Sequence, residues 1–436
     1  MSCFRIQGSA QLAGTFRPAG NKNAALPILA GCLLTDQPVR LTNVPDILDV
    51  HLMIDLLVSL GAEVLRDEPN CVVIRAAEVS NTRVDPGLAR RIRASVLLAG
   101  PLLARCGEVE LPPPGGDVIG RRRLDTHFLA LGKLGAEIDA GEAYYLRAKQ
   151  VRGADMFLDE PSVTGTENAV LAAVTARGGT RIRNAAAEPH VQDLCRFLNS
   201  LGASIEGIGT HELRIEGVES LSGGEYRIGP DHIEVGSVIG LAACTGSSLR
   251  IEDVNPELMY PLCAGFRRLG VTLEVGEDHV EVRGGQALEI QADIGGQIPM
   301  VYDGPWPAFP ADLISIALVL ATQCRGTVLI HEKMFESRMF FVDKVISMGA
   351  RIVLCDPHRA VVVGPSRLRG SVLESPDIRA GMALLIAALA AEGESQIHNI
   401  RQIERGYERI DVRLRALGAE IERIELSGSA PAEARE

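Results

Sequence analysis

Residues 57–64 read LVSLGAEV, and the phrase returns as LGKLGAEI at 131–138, FLNSLGASI at 197–205, FRRLGVTLEV at 266–275, VISMGARIV at 345–353 and LRALGAEI at 414–421. In each copy the last apolar turn of an amphipathic helix meets a glycine and then an alternating strand. Glycine is the residue best suited to the left-handed conformation with which many helices end. The six glycines, at 61, 135, 202, 270, 349 and 418, recur at intervals of about seventy residues. The chain therefore reads as six copies of one unit.

A second element recurs upstream of each tag: NAALPILAGCLL (23–34), ASVLLAGPLLA (94–104), NAVLAAVTA (168–176), VGSVIGLAAC (235–244), ISIALVLATQC (314–324) and AGMALLIAALA (380–390). These segments are apolar nearly all round and rich in small residues, which predicts buried helices with other elements packed closely on every side. Each is followed by a short strand with period-two alternation, such as VRLTNV (39–44), TRIRNA (180–185) and SQIHNI (395–400). The unit is helix, strand, loop, helix, strand, an α/β architecture with helices in the core. One unit cannot cover its own apolar face, so three per domain is the natural division. The expected domains are 22–230, and 1–21 with 231–436. The polar stretch 220–234 and the Gly20–Lys22 stretch would form the hinge, and the cleft between the domains would hold the active site.

The 436 residues are 46% hydrophobic and 23% charged, which excludes disordered, collagen-like and coiled-coil classes. A net charge of −12 and a single tryptophan argue against nucleic acid or anionic lipid as the main partner. No apolar run approaches the roughly 18 residues of a membrane span, and the opening residues do not resemble a signal peptide, so a cytoplasmic location is expected. Nine scattered cysteines form no C-x-x-C pair and are read as reduced, mostly buried thiols. The nine histidines show no ligand spacing, and no metal site is expected.

Charged or amide residues gather where the buried helices begin: Lys22 and Asn23, Arg93, Glu167, Asp231 and Glu234, Asp312, Asp377 and Arg379. Converging helix starts form a site for phosphate or carboxylate, which implies an anionic substrate. Ordinary capping is the simpler account of Glu167 and Glu234. It does not account for Lys22, Arg93 and Arg379, because a cation at a helix start opposes the dipole. The segment LPPPGGDVIGRRRLD, 111–125, reads as an exposed loop. It is either a solvated turn or a lid that brings one acid, Asp117, and several guanidinium groups to a substrate. Arg338 and Arg405 read by themselves as lone surface arginines.

GNKNAALP around Lys22, IRAS at Arg93, PGGDVIGRRRLD, PSVTGTEN, NAAAEP, PDHIE, FPADL, FESR, DIRA and ERGYERI follow one another along nearly the whole chain. In that order they resemble the UDP-N-acetylglucosamine 1-carboxyvinyltransferase family of enolpyruvyl transferases. The resemblance implies a two-domain inside-out α/β barrel of six repeats. It implies transfer of the enolpyruvyl group of phosphoenolpyruvate to the 3-hydroxyl of UDP-N-acetylglucosamine, with release of phosphate, in the first committed step of peptidoglycan synthesis. No cofactor or metal is implied. Lys22, Arg122 and Arg405 match positions that hold the phosphate and carboxylate of phosphoenolpyruvate, and Arg93 a further anion contact. Asp312 matches the favoured base at the sugar hydroxyl and Asn23 another sugar contact, while Ser162 and Val163 match the uridine and diphosphate site. Arg338, Asp377 and Arg379 match residues around the sugar, and Glu188 and Asp231 polar residues of the cleft and hinge. Asp117 stands where most of the family carries the cysteine that fosfomycin alkylates, so a fosfomycin-insensitive enzyme with Asp117 as proton donor is expected. A carboxylic acid is ionised at neutral pH unless its surroundings oppose that, and lid burial and nearby arginines pull in opposite directions. Transfer to another uridine nucleotide, or a silent paralogue that only binds the nucleotide sugar, are the alternatives.

Overall fold

The computed structural model describes residues 2–9, 11–117 and 119–425. The third repeat shows how the sequence builds a unit. Ser162 caps the helix Val163–Ala173 by accepting the Gly165 amide (3.2 Å), and the helix is buried from Gly165 onward. The strand Gly179–Arg183 follows, then the outer helix Pro189–Ser200 and the hairpin Ser204–Glu206 and Glu212–Glu216. A leading strand, Asp155–Phe157, lies parallel to Gly179–Arg183 and completes a four-stranded sheet. Alternation divides its faces. Ile182, Leu213, Ile215 and Ile205 are buried toward the helices, while the outer face carries cross-strand ion pairs of Arg183 with Asp155 and of Arg181 with Glu212, and Arg214 pairs with Glu212 along its own strand.

All six tag glycines have positive φ, from 82° at Gly270 to 107° at Gly61, as the repeated phrase requires. The buried helices also hold: every residue of Ile314–Ala321 is buried, and so is every residue but the last of Ile378–Ala390. Small residues permit close packing. A Cβ on Gly100 would stand 2.7 Å from the Asn168 carbonyl oxygen, so the helices Ala99–Cys106 and Val163–Ala173 meet backbone to backbone.

Among the described residues five sheets have four strands. The sixth, Glu108–Leu111, Tyr144–Arg147 and Glu137–Ala140, has three, with a single parallel bridge from Arg83 to Glu110 at the leading position. The chain forms two compact units. One comprises Met1–Pro18, Ile233–Asp303 and Phe309–Glu436, the other Ala19–His232 and Gly304–Ala308. The sequence division leaves 304–308 with the residues that follow 230, whereas here that segment groups with Ala19–His232. The stretch 220–234 is not simply a linker. Its residues Gly224–Arg227 are the parallel leading strand beside Val39–Thr42. Ala13–Phe16 plays the same part beside Ser248–Glu252, and Ser2–Gln7 lies between Glu394–His398 and Glu420–Glu425, antiparallel to both.

All nine cysteines are free thiols, six of them buried. Among the described residues no helix is long and apolar enough to cross a membrane, and no cluster of His, Cys, Asp and Glu is placed to hold a metal ion. The tail 427–436 lies outside the described residues.

Candidate active-site residues in the two units

In the unit Ala19–His232, Asn21 caps the helix Lys22–Gly31 and accepts the amides of Asn23 (2.9 Å) and Ala24 (3.3 Å). Lys22 is thereby fixed in the first turn, 7% exposed, with its ammonium 2.8 Å from Asp49, a buried acid in the first turn of the outer helix Leu48–Ser59. Asp231 comes to the same place, accepting the Lys22 amide at 3.4 Å. The segments are joined by backbone bonds from Asn21 N to Gly229 O (2.8 Å) and Asp231 N to Ala19 O (2.9 Å).

Arg93 opens the 3-10 turn Arg93–Leu98, and its guanidinium donates to the carbonyl oxygens of Arg122 (2.7 Å) and Arg123 (3.3 Å). Burial first, then the neighbouring Arg122 charge, bring the Arg93 pKa down to about 10. Two guanidinium groups that repel one another form a place where an anion would be welcome. The 111–125 segment is not the freely exposed loop the sequence suggests. Gly115 is packed so tightly on the Arg90 carbonyl that a Cβ would lie 1.8 Å from its oxygen, and Gly116 (φ +107°) presses on Arg93. Ile119 is buried and Asp117 half-buried. Asp117 thus follows a backbone seated on the turn that carries Arg93. Arg123 pairs with Asp125 at 2.9 Å, a local surface contact.

Ser162, the cap, and Val163 begin the third core helix. Next to them lies His127, which sequence reasoning missed. It is 1% exposed, accepts the Asn168 amide at Nδ1 (2.8 Å), and its Nε2 meets the Thr164 hydroxyl at 3.0 Å. Burial, then the Arg93 charge, push its pKa down to about 3, so the ring is neutral. Glu167 is not a cap: it lies on the second turn, 1% exposed, and burial followed by Glu188 pushes its carboxyl well above the usual range. Glu188 accepts the Trp306 amide at 3.3 Å.

In the other unit, Asp312 lies in the 3-10 turn Ala311–Leu313 ahead of Ile314–Ala321. It is held between two buried arginines: Arg338 on one oxygen and Arg379, at 2.9 Å, on the other. Burial works against the Arg338 charge, but Asp312, Glu332 and Asp377 together raise its pKa. Asp377 is the cap of Ile378–Ala390 and accepts the amides of Arg379 (2.8 Å) and Ala380 (3.0 Å). Arg405, half-buried, donates to Gln402 at 3.0 Å. Glu234 has a distant partner. It lies in the first turn of its helix and binds Arg413 through both oxygens, the longer contact at 3.0 Å. The structure thus joins Asp312, Arg338 and Arg379 into one network and Arg93 and Arg122 into another. The Asp49 partner of Lys22 had only a weak signal, one of two acids in the helix after PDIL.

The sequence matches the EPSP synthase (3-phosphoshikimate 1-carboxyvinyltransferase) family over residues 6–414. It is 60% identical to a Bradyrhizobium diazoefficiens protein named UDP-N-acetylglucosamine 1-carboxyvinyltransferase, over 97% of this chain and 98% of that protein. It is 54% identical to one of the same name from Treponema denticola, over 96% of this chain and 98% of the relative. The fold resembles the crystal structure of the enolpyruvyl transferase NikO from Streptomyces tendae, with a TM-score of 0.85 at 24% identity, covering 97% of this chain and 98% of that one. On the sixfold repeat, the ten ordered motifs and these likenesses, the chain belongs to the enolpyruvyl transferase family, among the UDP-N-acetylglucosamine 1-carboxyvinyltransferases.

Proposed function

We propose that the protein transfers the enolpyruvyl group of phosphoenolpyruvate to the 3-hydroxyl of UDP-N-acetylglucosamine and releases phosphate, as the names of its relatives imply. The observation that carries this reading is Asp312, a partly exposed carboxylate whose two oxygens are oriented by the buried guanidinium groups of Arg338 and Arg379. Ion pairing keeps it in the charged form that a base must have. Asp312 takes the proton of the attacking hydroxyl as its oxygen bonds to C2 of phosphoenolpyruvate, and C3 gains a proton from Asp117. The tetrahedral ketal then loses phosphate and a C3 proton. Lys22, Arg122 and Arg405 bind the phosphate and carboxylate of phosphoenolpyruvate, and Arg93 is a further anion contact. The depressed Arg93 pKa supports this, since a bound anion would offset the Arg93–Arg122 repulsion. Asn23, Arg338, Asp377 and Arg379 surround the sugar, Ser162 and Val163 its nucleotide, and Glu188 and Asp231 are polar neighbours. The reaction uses no cofactor, runs in the cytoplasm and supplies peptidoglycan assembly, and with it cell shape and division.

The test is phosphate release from phosphoenolpyruvate with and without UDP-N-acetylglucosamine, with UMP as the control acceptor. Release dependent on the amino sugar, lost in Asp117→Asn by about a hundredfold or more, is expected for an essential proton donor. No release from a protein that still binds the nucleotide sugar would overturn the assignment. Fosfomycin should not inactivate the wild type with time, because a carboxylate replaces the thiol, whereas Asp117→Cys should become sensitive.

A further inference from the structure

The six repeats allow one molecule to be compared with itself. In three of them the residue after the strand that follows the core helix is an asparagine with positive φ: Asn43, Asn184 and Asn399. Each donates its side-chain amide to the carbonyl of the residue after the neighbouring parallel strand, to Ile228 at 2.8 Å, Leu158 at 2.9 Å and Ser375 at 2.9 Å. A neutral clasp thus joins the ends of the two strands. In the fifth repeat both places hold acids. Met300–Tyr302 runs parallel to Gly326–His331 with Tyr302 beside His331, so the next residues, Asp303 and Glu332, come side by side. They are 1% and 0% exposed.

Asp303 Oδ1 accepts the Lys333 amide at 2.5 Å, and Glu332 Oε1 accepts those of Met334 at 3.2 Å and Phe335 at 3.1 Å. The remaining oxygens, Asp303 Oδ2 and Glu332 Oε2, are buried with no hydrogen-bond donor among the described residues. Two buried carboxyl groups side by side can pair only with a proton between them. Burial and then the Asp303 charge push the Glu332 pKa far up, against the opposing pull of Arg338. The three amides belong to the turn that delivers Arg338 to Asp312, with the Arg338 guanidinium 4.9 Å from the Phe335 ring centroid. Lys333 lies over the Tyr302 ring, His358 meets the Glu332 carbonyl oxygen at 2.8 Å, Arg359 binds Asp356, and His331 stands beside Tyr302 on the strand before Glu332.

We propose that Asp303 and Glu332 share one proton and act as a single positioning unit, fixing the 333–337 turn and through it the Arg338–Asp312 pair that receives the acceptor hydroxyl. The role rests on Asp312 being the base. Glu332→Gln and Asp303→Asn each place one amide donor between the two oxygens and keep the net charge of the proton-sharing pair. The double variant sets two amide donors against each other, so one must flip and release the turn.

Two measurements decide it. The first, on the folded protein without substrate, compares the Tm of wild type and Glu332→Gln from pH 5 to 9. A carboxyl with a raised folded-state pKa binds a proton that the unfolded chain loses above about pH 4.3, so it lowers stability as pH rises toward the folded value. The Tm of Glu332→Gln should therefore rise relative to wild type across the range, and a constant difference overturns proton sharing. The second is amino-sugar-dependent phosphate release. Each single variant should keep kcat within about threefold, while the double variant, with a wild-type circular dichroism spectrum, should lose about a hundredfold in kcat and much less in KM. A folded double variant with wild-type kcat overturns the positioning role. Absence of release in the wild type would sink the functional reading and that role together, and the Tm comparison would still decide whether the proton is shared.

Discussion

Lys22 and Arg379 occupy the same place in their repeats, the first turn of a core helix, where a cation is unfavourable unless something outside the helix holds it. Each has such a partner: Asp49 for Lys22 and Asp312 for Arg379. The cations were legible because they violate a local rule. Their partners were not, because an acid more than twenty residues away becomes a neighbour only through tertiary packing. His127 shows the same limit, since HFLALGK around it reads as ordinary amphipathic helix. Its pKa near 3 gives a signed prediction. The unfolded chain takes up a proton below about pH 6.5 while the folded ring stays neutral, so stability falls as pH falls from 6.5 toward 3. Wild type should lose about 2 kcal/mol more than His127→Gln between pH 7 and 5, measured by urea unfolding. Equal losses would show that the ring is protonated in the fold.

At the scale of the element, two glycines separate conformation from space. Gly202 ends an outer helix at φ +100° with nothing within 4 Å of the point where a Cβ would stand, so Gly202→Ala introduces backbone strain alone. The expected cost is about 1–2 kcal/mol. Gly100 has ordinary φ but meets the Asn168 carbonyl oxygen at 2.7 Å, and the two core helices must separate to admit a methyl group. Gly100→Ala should cost about 2–3 kcal/mol, more than Gly202→Ala, in the midpoint of denaturant unfolding. The reverse order would mean that the core helices yield easily. Both glycines lie in segments read correctly from sequence, because helix ends and small-residue helices have local signatures. Glu167 was misread as a cap for the converse reason. Ser162 holds the cap position before Glu167, and Arg413, which binds Glu234, comes from a distant helix.

At the scale of the molecule, the first strand has the largest consequence. Ser2–Gln7 is hydrogen-bonded on both edges, so removing it would leave the strands Glu394–His398 and Glu420–Glu425 each with an open edge. A protein lacking residues 2–7 should lose cooperative unfolding of the 233–436 part and aggregate, with hydrogen exchange protection falling first in those two strands. Retained protection there would show that the sheet closes without it. The sequence by itself determined the six units, the buried helices, the left-handed glycine after each outer helix and the family motifs, since each depends on periodicity and backbone conformation within a few residues. Only the tertiary structure decided that Gly224–Arg227 and Ala13–Phe16 become leading strands, that Asp312 is shared by Arg338 and Arg379, and that Asp303 meets Glu332. Those choices depend on which distant edges and charges are buried together, and burial is a property of the packed chain.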